Sequence, residues 1–230
     1  VQALPFQGRS VDVYDLPEDP NVFRDICEGK VETVFQLDAG AARQGLKHFA
    51  IEADGKPPIG SIEALSAFTA LDRPGPLDAK PEGANHNFLV EFANRAKGKP
   101  AVGRMAILDE LLPETYGVIV YQEQLQAIFQ QVGETTAIDA NNFRGRISKK
   151  KLVDVNKIDK PIFMTKALPK LEAAADILWN QMQTFGQYGF NKSHATCYMV
   201  TAYACAFLKR HFPLEWWTSV LNNAYRAEID

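Results

Sequence analysis

Apolar residues recur at the helical period along most of this chain, and that repeat fixes its class before any motif is considered. Phe88, Leu89, Phe92, Ala93 and Ala96 fall at i, i+1, i+4, i+5 and i+8, a spacing that gathers side chains on one face of a helix. Ile62, Leu65, Phe68 and Leu71 make a second stripe, stopped by the Arg-Pro-Gly-Pro turn at 73–76. Leu125, Ile128, Phe129 and Val132 make a third, with Gly133 as its C-terminal stop. Thr136, three residues before Asp139, predicts a capped restart. Pro169 fits the first turn of a helix carrying Leu171, Ala174, Leu178 and Phe185. Two further helices are expected over 193–210 and 214–223, separated by Pro213. Strand signals are few and short, the best being 34–37 and 116–120. The expected fold is mainly α, with a few short strands near the N-terminal half.

Bulk properties bound the rest. With 230 residues and 46% hydrophobic content, the chain can bury a sizeable core as one large domain or two small ones. A net charge of −3 gives no global attraction to nucleic acid, so any such contact must come from local clusters. Cys27, Cys197 and Cys205 lack metal-ligand spacing. The last two lie about 12 Å apart along one helix, too far for a disulfide, so the set reads as reduced thiols of a cytoplasmic protein. The apolar run from Ala195 to Leu208 is interrupted by two threonines and is shorter than the roughly 20 residues that span a bilayer. It reads as a buried helix, with no membrane partner. The first 18 residues read as a connector and 19–230 as one region, the whole cut from something larger.

Four segments carry candidate chemistry. The loop at 188–194, Tyr188-Gly189-Phe190-Asn191-Lys192-Ser193-His194, runs straight into a long apolar helix. Lysine brings a point charge, serine a hydroxyl and histidine a donor that titrates near neutrality. The unpaired N–H groups at the start of the helix would face the same place, so the loop is a candidate anion cradle. The stiff turn after Arg73 could hold a guanidinium for bidentate phosphate binding. The stretch 141–151 holds Arg144, Arg146, Lys149, Lys150 and Lys151 with no acidic residue among them. On a continuous helix, Arg144, Ser148 and Lys151 would share one face, with Arg146, Lys149 and Lys150 beside it. Tyr121-Gln122-Glu123-Gln124 opens a helix and could line a site. Each segment also has a plainer reading: a structural turn, a helix-stop arginine, a solvated basic face, or polar residues filling a first turn.

These segments, in this order, resemble the C-family DNA polymerases, the replicative polymerase III alpha subunits of bacteria and some phages. Residues 33–38 (TVFQLD) are similar to the family's t-x-x-F-Q-l-(D/E) segment, and 70–77 (ALDRPGPL) to its R-P-G-P turn. Residues 115–124 (TYGVIVYQEQ) are similar to T-x-G-x-x-x-Y-Q-E-Q, 188–194 to Y-G-F-N-K-S-H, and 208–213 (LKRHFP) to l-K-x-x-x-P. The resemblance runs from about Asp19 to Asn223. It implies the fingers region, which closes over an incoming deoxynucleoside triphosphate (dNTP) and the nascent base pair on a DNA primer–template. Arg73, Arg144, Lys149, Lys150 and Lys192 would gather around the triphosphate or the template backbone. Ser193 and His194 would lie near the sugar and phosphates, with His194 sensing a 2′-hydroxyl, and Tyr188, Gly189, Phe190 and Asn191 would support the loop.

Three departures from the family pattern matter. The family has adjacent arginines where this chain has Arg144-Gly145-Arg146, so one guanidinium is missing and Arg144 is favoured over Arg146. Glycines at 83, 98 and 103 suggest a trimmed template-facing surface. The palm aspartates that hold two Mg2+ ions in the family have no counterpart here. Asp12 and Asp15 are the nearest imitation and sit in the wrong context. The implied enzyme is therefore a nucleotidyltransferase whose catalytic and metal residues lie on a palm and thumb outside this chain, and the chain alone is expected to be inactive. The rival readings are a non-catalytic nucleotide- or nucleic-acid-binding module from a split or degenerate polymerase, and a helical interaction protein.

Overall fold

The computed structural model describes residues 5–6 and 9–227. In chain order its helices are α1 (Pro20–Cys27), α2 (Gly40–Leu46), α3 (Ile62–Leu71), α4 (Pro74–Asp78), α5 (Phe88–Ala96), α6 (Ala106–Leu111) and α7 (Gln122–Val132). There follow α8 (Ala137–Ser148), α9 (Leu152–Asp154), α10 (Lys160–Leu171), α11 (Ala174–Gly186), α12 (Lys192–His211) and α13 (Pro213–Ala227). Two short strands, β1 (Pro5–Phe6) and β2 (Arg9–Ser10), pair antiparallel. They lie within the expected connector at 1–18, of which residues 1–4 and 7–8 fall outside the described residues. The fold is mainly α. Among the described residues no helix is long and apolar enough to cross a membrane.

Local chemistry explains where several helices start. Asp19 caps α1 by accepting from the Asn21 N–H at 2.8 Å, and Pro20 follows at a position whose N–H has no helical partner anyway. Asn87 caps α5 through the Val90 N–H, and the stripe read from sequence, Phe88, Leu89, Phe92 and Ala93, is buried. Thr136 caps α8 through the Asp139 N–H at 3.1 Å, as its spacing predicts. Pro213 does more than separate two helices: it opens α13.

The chain divides into two compact units. The first comprises Val1–Leu65 with Cys197–Asp230. Its core gathers Val22, Phe23 and Ile26 of α1 with Met199, Tyr203 and Phe207 of α12, and Phe23 lies 4.9 Å from Tyr203. The second unit, Ser66–Thr196, holds the loop at 188–194. Its centre is a cluster of four rings from four helices: Phe129 stacks on Phe143 at 4.4 Å, and Phe163 and Trp179 close the group at 5.5–5.7 Å. All four are fully buried, and ring pairs of this kind add about 0.5–1.5 kcal/mol beyond the area they bury. This cluster fixes α7, α8, α10 and α11 against one another and so sets the frame on which the loop is hung.

Three expectations are corrected. Residues 34–37 are not a strand: Thr33 and Gln36 both have φ of 63°, and Val34 and Leu37 donate to carbonyls three residues back. The apolar spacing there belongs to consecutive tight turns that bury Val34 and Leu37. Residues 116–120 are not a ladder strand either, because Tyr116 and Gly117 turn the chain at φ of 52° and 73°. Val118, Ile119 and Val120 then run buried and, among the described residues, belong to no strand ladder. Pro169 does not start a helix. It sits in the last turn of α10, which stops where Glu172 takes a φ of 49°. Only Lys170 and Leu171 of α10 follow it, so the kink a proline imposes has almost no helix left to redirect.

Candidate functional site

The loop between α11 and α12 is pinned along its length to the chain entering α7. The Gln122 N–H donates to the Phe190 carbonyl at 2.9 Å, and the Phe190 N–H donates to the Val120 carbonyl at 3.3 Å. Together these make a one-residue parallel bridge between Tyr121 and Phe190. The Gln122 side-chain amide adds a bond to the Gly189 carbonyl at 3.0 Å. Asn191 caps α12 by accepting from the His194 N–H at 2.9 Å. Glu123 completes the clasp, taking the Asn191 side-chain amide at 3.0 Å and the Lys192 N–H at 3.2 Å. The positive end of the α12 dipole therefore already faces a carboxylate of the same chain.

Gln124 locks the approach to this clasp. Its buried carbonyl oxygen accepts from the N–H groups of Val120 (2.7 Å) and Tyr121 (3.0 Å). Its amide donates to the Thr115 hydroxyl at 2.8 Å and to Glu114 at 3.3 Å. Thr115 is itself fully buried and donates to the Val118 carbonyl. Every polar residue of Gln122-Glu123-Gln124 is thus used in positioning.

Arg73 backs the loop from the other side. Its Nε donates to the Ala70 carbonyl at 2.7 Å, one terminal nitrogen donates to the Tyr188 carbonyl, and the guanidinium lies 4.7 Å from the centre of the Phe190 ring. Burial pushes this guanidinium below its ordinary pKa. The Tyr188 ring rests on Gly75, where a Cβ atom would come within 2.2 Å of it. The Arg-Pro-Gly-Pro turn and the loop are two halves of one packed unit.

The basic stretch divides into three groups. Arg144 reaches Gln122 at 3.2 Å and Asn141 at 3.2 Å, which links α8 to the clasp. Arg146 is bound to the buried carboxylate of Asp159, with a 2.8 Å bond from its Nε. It cannot stand in for the arginine missing at 145 while it neutralises that charge. Lys149 and Lys150 are exposed and lie beyond the helix, because α8 ends at Ser148 and Lys150 has a φ of 56°. The shared helical faces expected for residues 144–151 therefore stop at Ser148. Among the described residues, no hydrogen bond or ion pair ties these two lysines to the loop.

Lys192 projects from the first turn of α12. Its Nζ lies 3.6 Å from Glu114 and 5.7 Å from the centre of the Tyr121 ring. Ser193 and His194 are exposed beside it, the His194 ring 5.5 Å from that of Phe190. The structure thus brings residues 188–194 together with Arg73 and, through Gln122, with Arg144. Glu123 belongs to a segment the sequence marks as able to line a site, whereas Glu114 is a further member of this arrangement that the sequence does not mark.

Among the described residues, no group of three or more His, Cys, Asp or Glu side chains is placed to hold a metal ion. Asp12 is engaged in a turn, its carboxylate accepting from the Tyr14 N–H at 2.9 Å and its carbonyl from the Asp15 N–H at 3.1 Å.

Comparison with known proteins gives this geometry a context. The family of the bacterial DNA polymerase III alpha subunit finger domain matches residues 3–168. The chain is 34% identical over 212 residues to the DNA polymerase III subunit alpha of Aquifex aeolicus, covering 90% of this chain and 17% of that protein. It is 35% identical over 210 residues to that of Treponema pallidum, again covering 90% of this chain and 16% of the relative. For Thermus aquaticus the figures are 31% over 221 residues, 94% and 17%. The chain therefore spans about one sixth of the length of these relatives. It belongs to the finger-domain family of bacterial DNA polymerase III alpha subunits.

Proposed function

We propose that this chain acts as the fingers of a DNA-directed DNA polymerase, in which the loop at 188–194 receives the triphosphate of an incoming dNTP beside the nascent base pair. One observation carries this reading. Lys192, Ser193 and His194 are presented from a backbone pinned by Gln122, Glu123, Asn191 and Arg73, so the backbone that carries them is fixed before any ligand arrives. Phosphoryl transfer is catalysed mainly by positioning and electrostatic stabilisation, which rewards such preorganisation. On this reading Arg73 acts through the loop it holds, and Arg144 and Lys192 supply charge. Lys149 and Lys150 are free to meet a phosphate backbone of the primer–template. His194 faces the sugar.

The two-metal chemistry, with Mg2+, then belongs to palm residues outside this chain. Its partners are the palm and thumb of the same polymerase, and its setting is a bacterial or phage-infected cytoplasm. The test uses a polymerase carrying this chain as its fingers. A charge-assisted bond is worth about 1.5–3 kcal/mol, so Lys192→Ala should raise the KM for dNTP roughly ten-fold or more. His194→Ala should lower the discrimination between deoxy- and ribonucleotides. An unchanged KM with normal folding removes the Lys192 assignment. Efficient primer extension by the chain alone would overturn the division of labour between fingers and palm.

A further inference from the structure

The Lys192 ammonium already has an anion of its own. Glu114 Oε1 lies 3.6 Å from Nζ, within ion-pair reach but longer than the 2.7–2.9 Å typical of a charge-assisted hydrogen bond. The two side chains are 40% and 30% exposed, so water screens the pair. The contact is electrostatic and separable. Glu114 would not be left stranded by losing it, because the Gln124 amide donates to the same oxygen at 3.3 Å. Gln124 in turn is buried and fixed by two backbone N–H groups. Glu114 also stands in a tight 3-10 turn, Pro113–Thr115, anchored by buried Thr115. Its carboxylate is held in place whether or not the lysine stays.

The second carboxylate near the loop differs in kind. Glu123 spends its oxygens on the Asn191 amide and the Lys192 N–H. Moving it would leave the Lys192 N–H at the start of α12 and the Asn191 amide without this acceptor, so it is a structural part of the loop. Among the described residues, the polar contacts of the Glu114 carboxylate are the lysine's charged end and the Gln124 amide.

Building on the reading that Lys192 grips a triphosphate, we propose that Glu114 is the resting counter-ion of Lys192, a built-in competitor that an incoming polyanion must displace. With no nucleotide present it holds the ammonium over the Tyr121 ring. When a triphosphate arrives, the lysine swings to the phosphates and Glu114 remains on Gln124. The displacement sets the same fixed penalty for every anion that uses Lys192. Every anion that uses Lys192 therefore binds more weakly by the same factor, so the pair sets the nucleotide concentration at which the loop fills. Glu114 is thus a residue that tunes nucleotide affinity without touching the reacting atoms.

The proposal makes a prediction of unusual sign: removing an acidic residue should improve binding. In a polymerase carrying this chain, Glu114→Gln removes the charge yet leaves an oxygen to accept from Gln124. The KM for dNTP should fall about two- to five-fold, the range open to an exposed ion pair, with kcat little changed. The gain should vanish in a Lys192→Ala background, since the two residues act through each other. A merely structural glutamate would give no gain, or one indifferent to Lys192. A KM that is unchanged or raised by Glu114→Gln, or a gain that persists without Lys192, overturns the proposal. If Lys192→Ala alone leaves KM unchanged, the triphosphate reading falls and takes this one with it. If Lys192→Ala raises KM while Glu114→Gln does nothing, this proposal alone is wrong.

Discussion

Gly75→Ala tests the packing of the Arg-Pro-Gly-Pro turn on the loop. A Cβ atom at this position would lie 2.2 Å from Tyr188 Cδ1 and 2.7 Å from Cγ, whereas carbon atoms settle at about 3.5–4.0 Å. The atoms struck are near the root of the ring, so a rotation of the ring tip does not clear them. The backbone of Tyr188 is also restrained: its N–H donates to the Phe185 carbonyl at 2.9 Å, and its carbonyl accepts from Arg73. Relief must come from moving the loop or α4. Overpacking of this kind costs about 1–3 kcal/mol. Against it stands a gain of about 0.4–1 kcal/mol from restricting the unfolded chain. The balance is a loss of about 1–2 kcal/mol, read by urea denaturation of the chain. Tyr188→Ala removes the obstruction, so most of the loss should disappear when the two changes are combined. If Gly75→Ala alone stabilises the chain, or costs as much without the Tyr188 ring as with it, the packing argument fails.

Gly145 is the opposite case, a helical glycine whose Cβ would meet nothing within 4 Å; Gly145→Ala should therefore stabilise the chain by about 0.5–1 kcal/mol in the same denaturation assay. Glu134 lies between Lys170 (2.8 Å) and Lys166 (3.0 Å), whose hydrogen bonds pull its pKa down from 4.5 to about 2. Because its folded value is lowered, the support these pairs give is present above the unfolded value and is lost as pH falls from about 4.5 towards 2. A carboxyl titration by NMR with a midpoint near 4.5 would show that the pairs do not form in solution. Lys192→Ala and Glu114→Gln, with opposite effects on KM, complete the set.

The parts of the fold that were legible in the sequence are those whose cause is local. The stripe at 88–96 and the Thr136–Asp139 cap need only residues three or four apart, and both stand as read. The misread segments turn on backbone states that ordinary residues seldom adopt. Gln36, Tyr116 and Glu172 all take positive φ without being glycine, and no composition rule marks them. Arg146 was readable as a base but not as the partner of Asp159, 13 residues on and buried in the same unit.

The site was legible as a set of motifs but not as a mechanism, and the distances along the chain say why. Gln122 and Glu123 act on residues 67 to 69 positions away, and Arg73 acts on a carbonyl 115 positions away. No window of sequence contains both ends of these contacts. Read singly, each motif offers a charged or polar group that could meet a phosphate. Assembled, they divide by what their hydrogen bonds leave over. Gln122, Glu123 and Gln124 spend theirs on the loop and on the start of α7, and Arg73 spends much of its own on Tyr188 and Ala70. Lys192 spends only a loose 3.6 Å ion pair. A group already bound at three points cannot also take hold of a ligand without releasing its neighbours, whereas one held by a screened charge can. On the proposed reading, the group best placed to take up a ligand is therefore Lys192, whose charged end is held only loosely by Glu114.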